Sequence, residues 1–362
     1  MNSTFTDKAP WKDKYPPLVI VSGLVLGIVA AILVKLGNPG NMGFCLACFE
    51  RDIAGALGLH QAKAVQYLRP EILGIVLGAA IASLAGGEFM PRSGSAPVVK
   101  FLLGIFMMIG ALVFLGCPTR MVLRLGGGDG NALLGLAGFT TGIVAGVLFL
   151  QKGATLGRSY KEAYSLSFWI LPILAGVAAV LMLVKSNVFN ATLEGKGPGS
   201  MHAPVVVSLA SGVLVGLLAQ RSRLCFAGGL RDMILFRSGH LLVGLVGVFL
   251  GVLVTNLVLG QFNAGFDGQS VAHKDYLWNF LSMVLVGLCA ILLGGCPFRQ
   301  LILASQGNGD SFFAVFGMIA GGAIAHNFHL AATPKGVSAA GMIAVGIGLV
   351  VCVIVGLTAR ET

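Results

Sequence analysis

Long apolar runs, broken by short polar and glycine-rich joints, fill almost the whole chain. Ten of them lie near residues 17–36, 68–87, 98–116, 131–150, 166–185, 204–220, 239–260, 277–295, 312–331 and 338–357. Runs of roughly 17–25 apolar residues suit an α-helix crossing the bilayer's hydrocarbon. Four shorter stretches intervene, at about 45–58, 117–125, 225–236 and 296–305; each opens on a cysteine and contains at least one arginine. None is long or apolar enough to span by itself. The pattern predicts an all-α integral membrane protein with about ten transmembrane helices and four short re-entrant helices. Irregular backbone at membrane depth is tolerated only where protein or a water-filled cavity surrounds it, so these segments imply a shared central cavity.

The four short stretches also reveal a duplication. Cys45, followed by Arg51-Asp52, returns as Cys225 with Arg231-Asp232, 180 positions later. Gly116-Cys117-Pro118-Thr119-Arg120 returns as Gly295-Cys296-Pro297-Phe298-Arg299, 179 positions later. Five crossings per repeat, an odd number, would insert the second repeat upside down, as in transporters whose path runs between inverted repeats. The predicted organisation is a cytoplasmic tail over 1–16, a first repeat over 17–186, a joining loop over 187–203 and a second repeat over 204–358. The repeats are not identical. Between Gly23 and Cys45 the first repeat carries about nine more residues than the second does between Gly212 and Cys225, and these include the turn-forming string Gly37-Asn38-Pro39-Gly40-Asn41. The two mouths should therefore differ.

Composition agrees with a membrane protein. Charged residues are 10% of the chain and hydrophobic ones 56%, with a mean hydropathy of +0.90; soluble domains carry about 25% charged residues. The longest polar stretches, such as Gln151–Ser165 and Asn187–His202, are loop-sized. The net charge of +10 is scattered between spans rather than clustered, which excludes a nucleic-acid surface and fits the positive-inside rule. With the arginines of the short segments set aside, nineteen basic residues remain, and a cytoplasmic amino terminus places twelve of them inside. The inside set includes Lys8, Lys12, Lys14, Arg92, Lys100, Lys152, Arg158, Lys161, Arg237 and Arg360. The Met1–Tyr15 segment lacks a small-residue cleavage site, so the first run reads as a retained helix.

Candidate chemistry centres on Cys45, Cys117, Cys225 and Cys296. Pro118 and Pro297 suit the first position of a helix, which puts Cys117 and Cys296 at N-caps. Helix N-termini present free N–H groups and the positive end of a dipole, and so bind anions. Arg120 and Arg299 fall in the first turn, where they either face an anion or hold the short helix in place. The pairs Arg51-Asp52 and Arg231-Asp232 read as structural, because intramembrane charges normally pair.

Other features read more plainly. Cys289 and Cys352 lack repeat counterparts and read as packing. Cys45-Leu46-Ala47-Cys48 has redox spacing, but Cys48 is matched by Gly228, so duplication kept a single cysteine rather than a pair. The strings around Gly126–Gly130 and Gly307–Gly309 have no Lys-Ser/Thr following and read as turns capping the next span. His326 and His329, at i and i+3, would share a helical face but lack a third partner for a metal, and no metal or cofactor is expected.

These motifs resemble the YeeE/YedE family of sulfur-transport membrane proteins, and within it a branch described as selenium transporters. The resemblance implies an inverted repeat whose short helices meet at a narrow waist, where thiols pass a thiosulfate-like ion by S–H contacts. It makes Cys117 and Cys296 the principal relay residues and Cys45 an outer one. It also implies a cytoplasmic sulfur-carrier partner of the TusA/SirA/YedF type. The expectation is a bacterial inner-membrane transporter, not an enzyme, importing a small sulfur or selenium anion. Its rivals are a disulfide-exchange protein using Cys45 and Cys48, and a general small-anion channel.

Overall fold

The computed structural model describes residues 16–163 and 166–360. The expected cytoplasmic tail, with Lys8, Lys12 and Lys14, lies outside the described residues apart from Pro16. Ten longer helices form in chain order: α1 (Pro16–Lys35), α3 (Pro70–Ala85), α4 (Pro97–Val113), α6 (Asn131–Gln151), α7 (Ile170–Leu183), α8 (Val205–Ser222), α10 (Leu242–Val258), α11 (Tyr276–Leu292), α13 (Gly309–Asn327) and α14 (Ala339–Thr358). Four short ones interleave with them: α2 (Leu46–Ala56), α5 (Pro118–Gly126), α9 (Phe226–Phe236) and α12 (Pro297–Ser305). Among the described residues, eight helices are long and apolar enough to cross a membrane. Helices α3 and α10 are shorter apolar helices of 16 and 17 residues. At 1.5 Å per residue they reach about 25 Å, a little less than the hydrocarbon thickness.

Packing interleaves the halves of the chain. Helix α1 lies along α10, and α8 along α3; α6 lies along α11, and α13 along α4. Glycines make these approaches close. A Cβ on Gly138 of α6 would run into the Phe280 carbonyl oxygen of α11, and a Cβ on Gly317 of α13 into that of Phe101 on α4. Both pairs of positions are related by the same 179-residue offset. Small residues at such crossings let helix backbones meet where no hydrophobic driving force operates. The final helices break the correspondence: α7 rests on α3, whereas α14 rests on α11 and α4.

The joints follow the turn chemistry of their residues. Asn308 caps α13 by accepting from the Ser311 N–H at 2.9 Å, and Asp129 accepts from the Asn131 N–H at 2.9 Å at the head of α6. Gly128 and Gly307 precede these caps with φ of +94° and +92°. The glycine-rich strings are therefore turns. The joining segment 187–203 is bound to the loop 57–69: Arg69 donates to the carbonyls of Pro198 and Met201 at 2.9 and 3.0 Å, and Thr192 bonds to Gln66.

Candidate functional site

The turn before each Cys-Pro motif leaves the preceding long helix through a left-handed residue, Leu115 (φ +61°) in one case and Gly294 (φ +78°) in the other. The next residue must be small. A Cβ on Gly116 would come within 3.0 Å of Arg120, and one on Gly295 within 3.1 Å of Arg299. Cys117 and Cys296 then occupy the N-caps, with Pro118 and Pro297 opening α5 and α12. Cys45 and Cys225 cap α2 and α9 in extended conformation, and each sulfur accepts the N–H three residues on, from Cys48 at 3.4 Å and Gly228 at 3.2 Å.

The four cysteines form two pairs, each joining the N-termini of two short helices. Cys45 and Cys117 have interacting side chains, and the Cys117 sulfur faces the backbone N–H groups of Leu46 and Ala47 at the start of α2. The Cys225 sulfur lies 3.9 Å from that of Cys296, which faces the N–H of Ala227 at the start of α9. All four side chains are buried. Helix α5 touches α9, and α12 touches α2, so the pairs lie on either side of one central region. Each pair sits where two helix dipoles point their positive ends together.

Charge around the two pairs is not equivalent. At the first pair, Arg120 is fully buried and donates only to backbone carbonyls. They belong to Leu115, to Gly40 and Asn41 in the nine-residue insertion, and to Ser270 and Val271 in the loop before α11. At the second pair, Gln300 ties down the turn instead, donating to the carbonyls of Leu293 at 2.9 Å and Gly295 at 3.4 Å. Gln300 has Met121 as its repeat counterpart. Arg299 is thereby released: its Nη1 is buried without a hydrogen-bond partner, and its charge acts on Cys225 and Cys296. A guanidinium with a free, buried N–H is suited to receive an oxyanion.

The Arg-Asp pairs also differ. Asp52 accepts from Arg51 at 2.6 Å and from Arg69 at 2.7 Å, all three buried. Arg69, outside the short helices and without a repeat counterpart, carried no motif that marked it. Among the described residues Asp232 pairs with Arg231 alone, at 2.8 Å, and both side chains are partly exposed. Arg231 lines a cavity of about 270 Å³ together with Lys100 and the stretch Leu292–Gly294 that leads to Cys296. Helix α2 is buried along its whole length, whereas α9 buries only Phe226–Gly229. The second pair thus has a basic approach, and the first is roofed by the insertion.

The remaining cysteines and histidines resolve as follows. Cys48 is buried beside Cys45. Cys289 and Cys352 lie in α11 and α14 with sulfurs 3.3 Å apart, a juxtaposition for which the two long apolar runs gave no signal. His329 falls beyond the end of α13 with a φ of +54°, so it does not share a helical face with His326. His326 packs against His60, ring centroids 4.8 Å apart. Among the described residues no group of three or more histidine, cysteine or acidic side chains could hold a metal ion.

Comparison with known proteins gives two matches. Residues 221–359 match the family model described as sulphur transport. A segment of 117 residues is 26% identical to the thiosulfate transporter TsuA of Escherichia coli (strain K12), spanning 32% of this chain and 32% of that protein. The alignment thus spans about a third of the relative's length. The family match takes in α9 to α14 with Cys225, Arg231, Cys296 and Arg299, so the second repeat is similar to the sulphur-transport family.

Proposed function

We propose that the protein carries a small sulfur- or selenium-containing anion, of thiosulfate type, across the bacterial inner membrane by a path between its two repeats. The observation that carries this reading is the pair of buried thiol couples, each set where two helix N-termini converge. Helix dipoles and N–H groups there offset the cost of bringing an anion out of water. The neutral S–H of a cysteine donates weakly to a soft sulfur or selenium atom, and weak successive contacts let a site release what it binds. Arg299, with the basic approach past Arg231 and Lys100, would gather the anion at the second pair. With the amino terminus in the cytoplasm this second pair faces inward, the Cys45–Cys117 pair faces outward, and the direction is import. A cytoplasmic sulfur-carrier protein would then take the product at the inner mouth. The repeats would run inverted through the membrane, with no chemistry performed on the substrate.

Uptake of ³⁵S-thiosulfate and of ⁷⁵Se-selenite by cells expressing the chain tests this reading. Replacing Cys117 or Cys296 with alanine should abolish uptake, while Cys48→Ala should keep most of it. If Cys48 is needed and Cys296 is not, the disulfide-exchange reading takes over; it is favoured only by the position of Cys45 and Cys48 at a helix N-terminus. If serine serves as well as cysteine at both relay positions, a simple anion channel replaces it.

A further inference from the structure

Glu50 is anomalous: among the described residues it is a buried carboxyl with neither oxygen hydrogen-bonded. It sits in the middle of α2, about 1% exposed. The other buried carboxylates are held: Asp52 by two arginines, Asp129 by Arg124 and Asn131, Asp310 by Ser95, Ser159 and Lys100, and one oxygen of Glu71 by Asn38 and Ser208. Glu50 has no counterpart in the second repeat, where Leu230 stands in its place.

Among the described residues, its surroundings offer no counter-ion. On its own helix Arg51 is committed to Asp52. From α3 and its cap come Glu71 and Arg69, the latter bound to Asp52. From α5 come Arg120, spent on backbone carbonyls, and Arg124, paired with Asp129. Helix α4 contributes Lys100, bound to Asp310 of α13, and α13 also carries His326, packed on His60. Lys63, in the short turn beside α2, is exposed, and Arg299 of α12 acts on Cys225 and Cys296. The titratable group that interacts with the Glu50 carboxyl is the Cys117 thiol, with Cys45 and Cys48 adjoining it.

We infer that Glu50 is a proton-carrying carboxyl on the transport path, and that the chain moves its anion together with protons. A dry site without donors holds the neutral acid far more readily than the carboxylate. A dianion resting at Cys117 strengthens that preference, because it would repel a carboxylate beside it. Anion and proton therefore favour each other's binding, which is the condition for moving both in one direction. The proton is taken up from the side of the Cys45–Cys117 pair and given up to the other side after the anion has passed to Cys225 and Cys296. No bond other than O–H is made or broken. This inference rests on the transport reading above and supplies its driving force.

The test uses purified full-length protein in liposomes, with ³⁵S-thiosulfate as the probe and pyranine trapped inside. An acid-outside gradient should raise the initial rate of wild-type uptake at least fivefold, with internal acidification that requires thiosulfate and vanishes with a protonophore. In Glu50→Gln the rate with and without the gradient should be the same within twofold, and thiosulfate should acidify nothing; Glu50→Asp should restore part of the stimulation. Gradient-stimulated uptake in Glu50→Gln, or wild-type uptake indifferent to the gradient, overturns the inference and leaves transport standing. Wild-type vesicles that take up no thiosulfate under any gradient overturn both. A second measurement needs no variant: dicyclohexylcarbodiimide, which attacks protonated carboxyls in apolar surroundings, should label Glu50 in the native protein, with thiosulfate slowing the reaction. Absence of label on Glu50 by mass spectrometry overturns the inference as well.

Discussion

Arg120 and Arg299 occupy equivalent places in two copies of one motif, yet their substitution should produce opposite outcomes. Replacing Arg120 with alanine removes five donations to carbonyls, two of them close (Leu115 and Asn41) and three long and shared, at 3.3–3.4 Å. At about 1.5 kcal/mol for each close bond and about 0.5 for each long one, the loss is about 4.5 kcal/mol. Unfolding entropy of about 2.1 cal/mol/K per residue over 362 residues turns that into a fall in Tm of about 6 °C. Replacing Arg299 with alanine removes no hydrogen bond from Nη1 and takes away a half-buried guanidinium, so Tm should move by less than about 1 °C in either direction. The second variant should nonetheless lose most anion uptake, because it removes the free guanidinium at the Cys225–Cys296 pair. The assay is fluorescence-detected thermal unfolding of both detergent-purified variants, alongside thiosulfate uptake in cells at matched expression. Equal destabilisation by the two substitutions, or full uptake with Arg299→Ala, would refute the division of labour between them.

Three further outcomes follow from the packing. Asp52→Asn strips the charge partner from two buried arginines and should cost about 3–5 kcal/mol, while Asp232→Asn, partly exposed, should cost about 1 kcal/mol or less; urea or thermal unfolding of the two variants ranks them. Gly138→Leu and Gly317→Leu each drive a side chain into a facing carbonyl and should lower expression of folded protein to a similar extent, read by size-exclusion profile. Cys289 and Cys352, 3.3 Å apart between α11 and α14, should cross-link on treatment with copper-phenanthroline, losing two thiols by mass spectrometry while uptake continues.

Helix number and placement were readable from hydropathy because a span must satisfy all its backbone hydrogen bonds internally, and that demand writes length and apolarity directly into the chain. The short helices were readable for a different reason: Cys-Pro fixes an N-cap, and the repeat of the cysteine motifs singled out the four cysteines that cap these helices. Three features of the site were not legible. Arg69 reaches Asp52 from 17 positions away and the segment 187–203 from across the repeat boundary, and long-range pairing of that kind leaves no local pattern. Gln300 replaces the turn-holding work of an arginine next to it, which becomes visible only when both turns are compared atom by atom. Glu50 was hidden by its neighbours Arg51 and Asp52, which look like its natural partners but point into an ion pair of their own.

The interleaving of helices has a consequence for biogenesis. Helix α1 finds its long partner, α10, only after more than two hundred further residues have been made, and α3 must wait likewise for α8. At about 5–20 residues per second, α1 spends roughly 10–40 s in the membrane with its glycine face covered by lipid alone. The first half of the chain, released by itself, would therefore be an unfinished object for the quality-control machinery rather than a small folded protein. Two halves expressed as separate polypeptides, cut within 187–203, should each be degraded when made alone and persist when made together. A gene fusion that once joined two free-standing copies would in this light have made permanent a mutual dependence already present between the subunits.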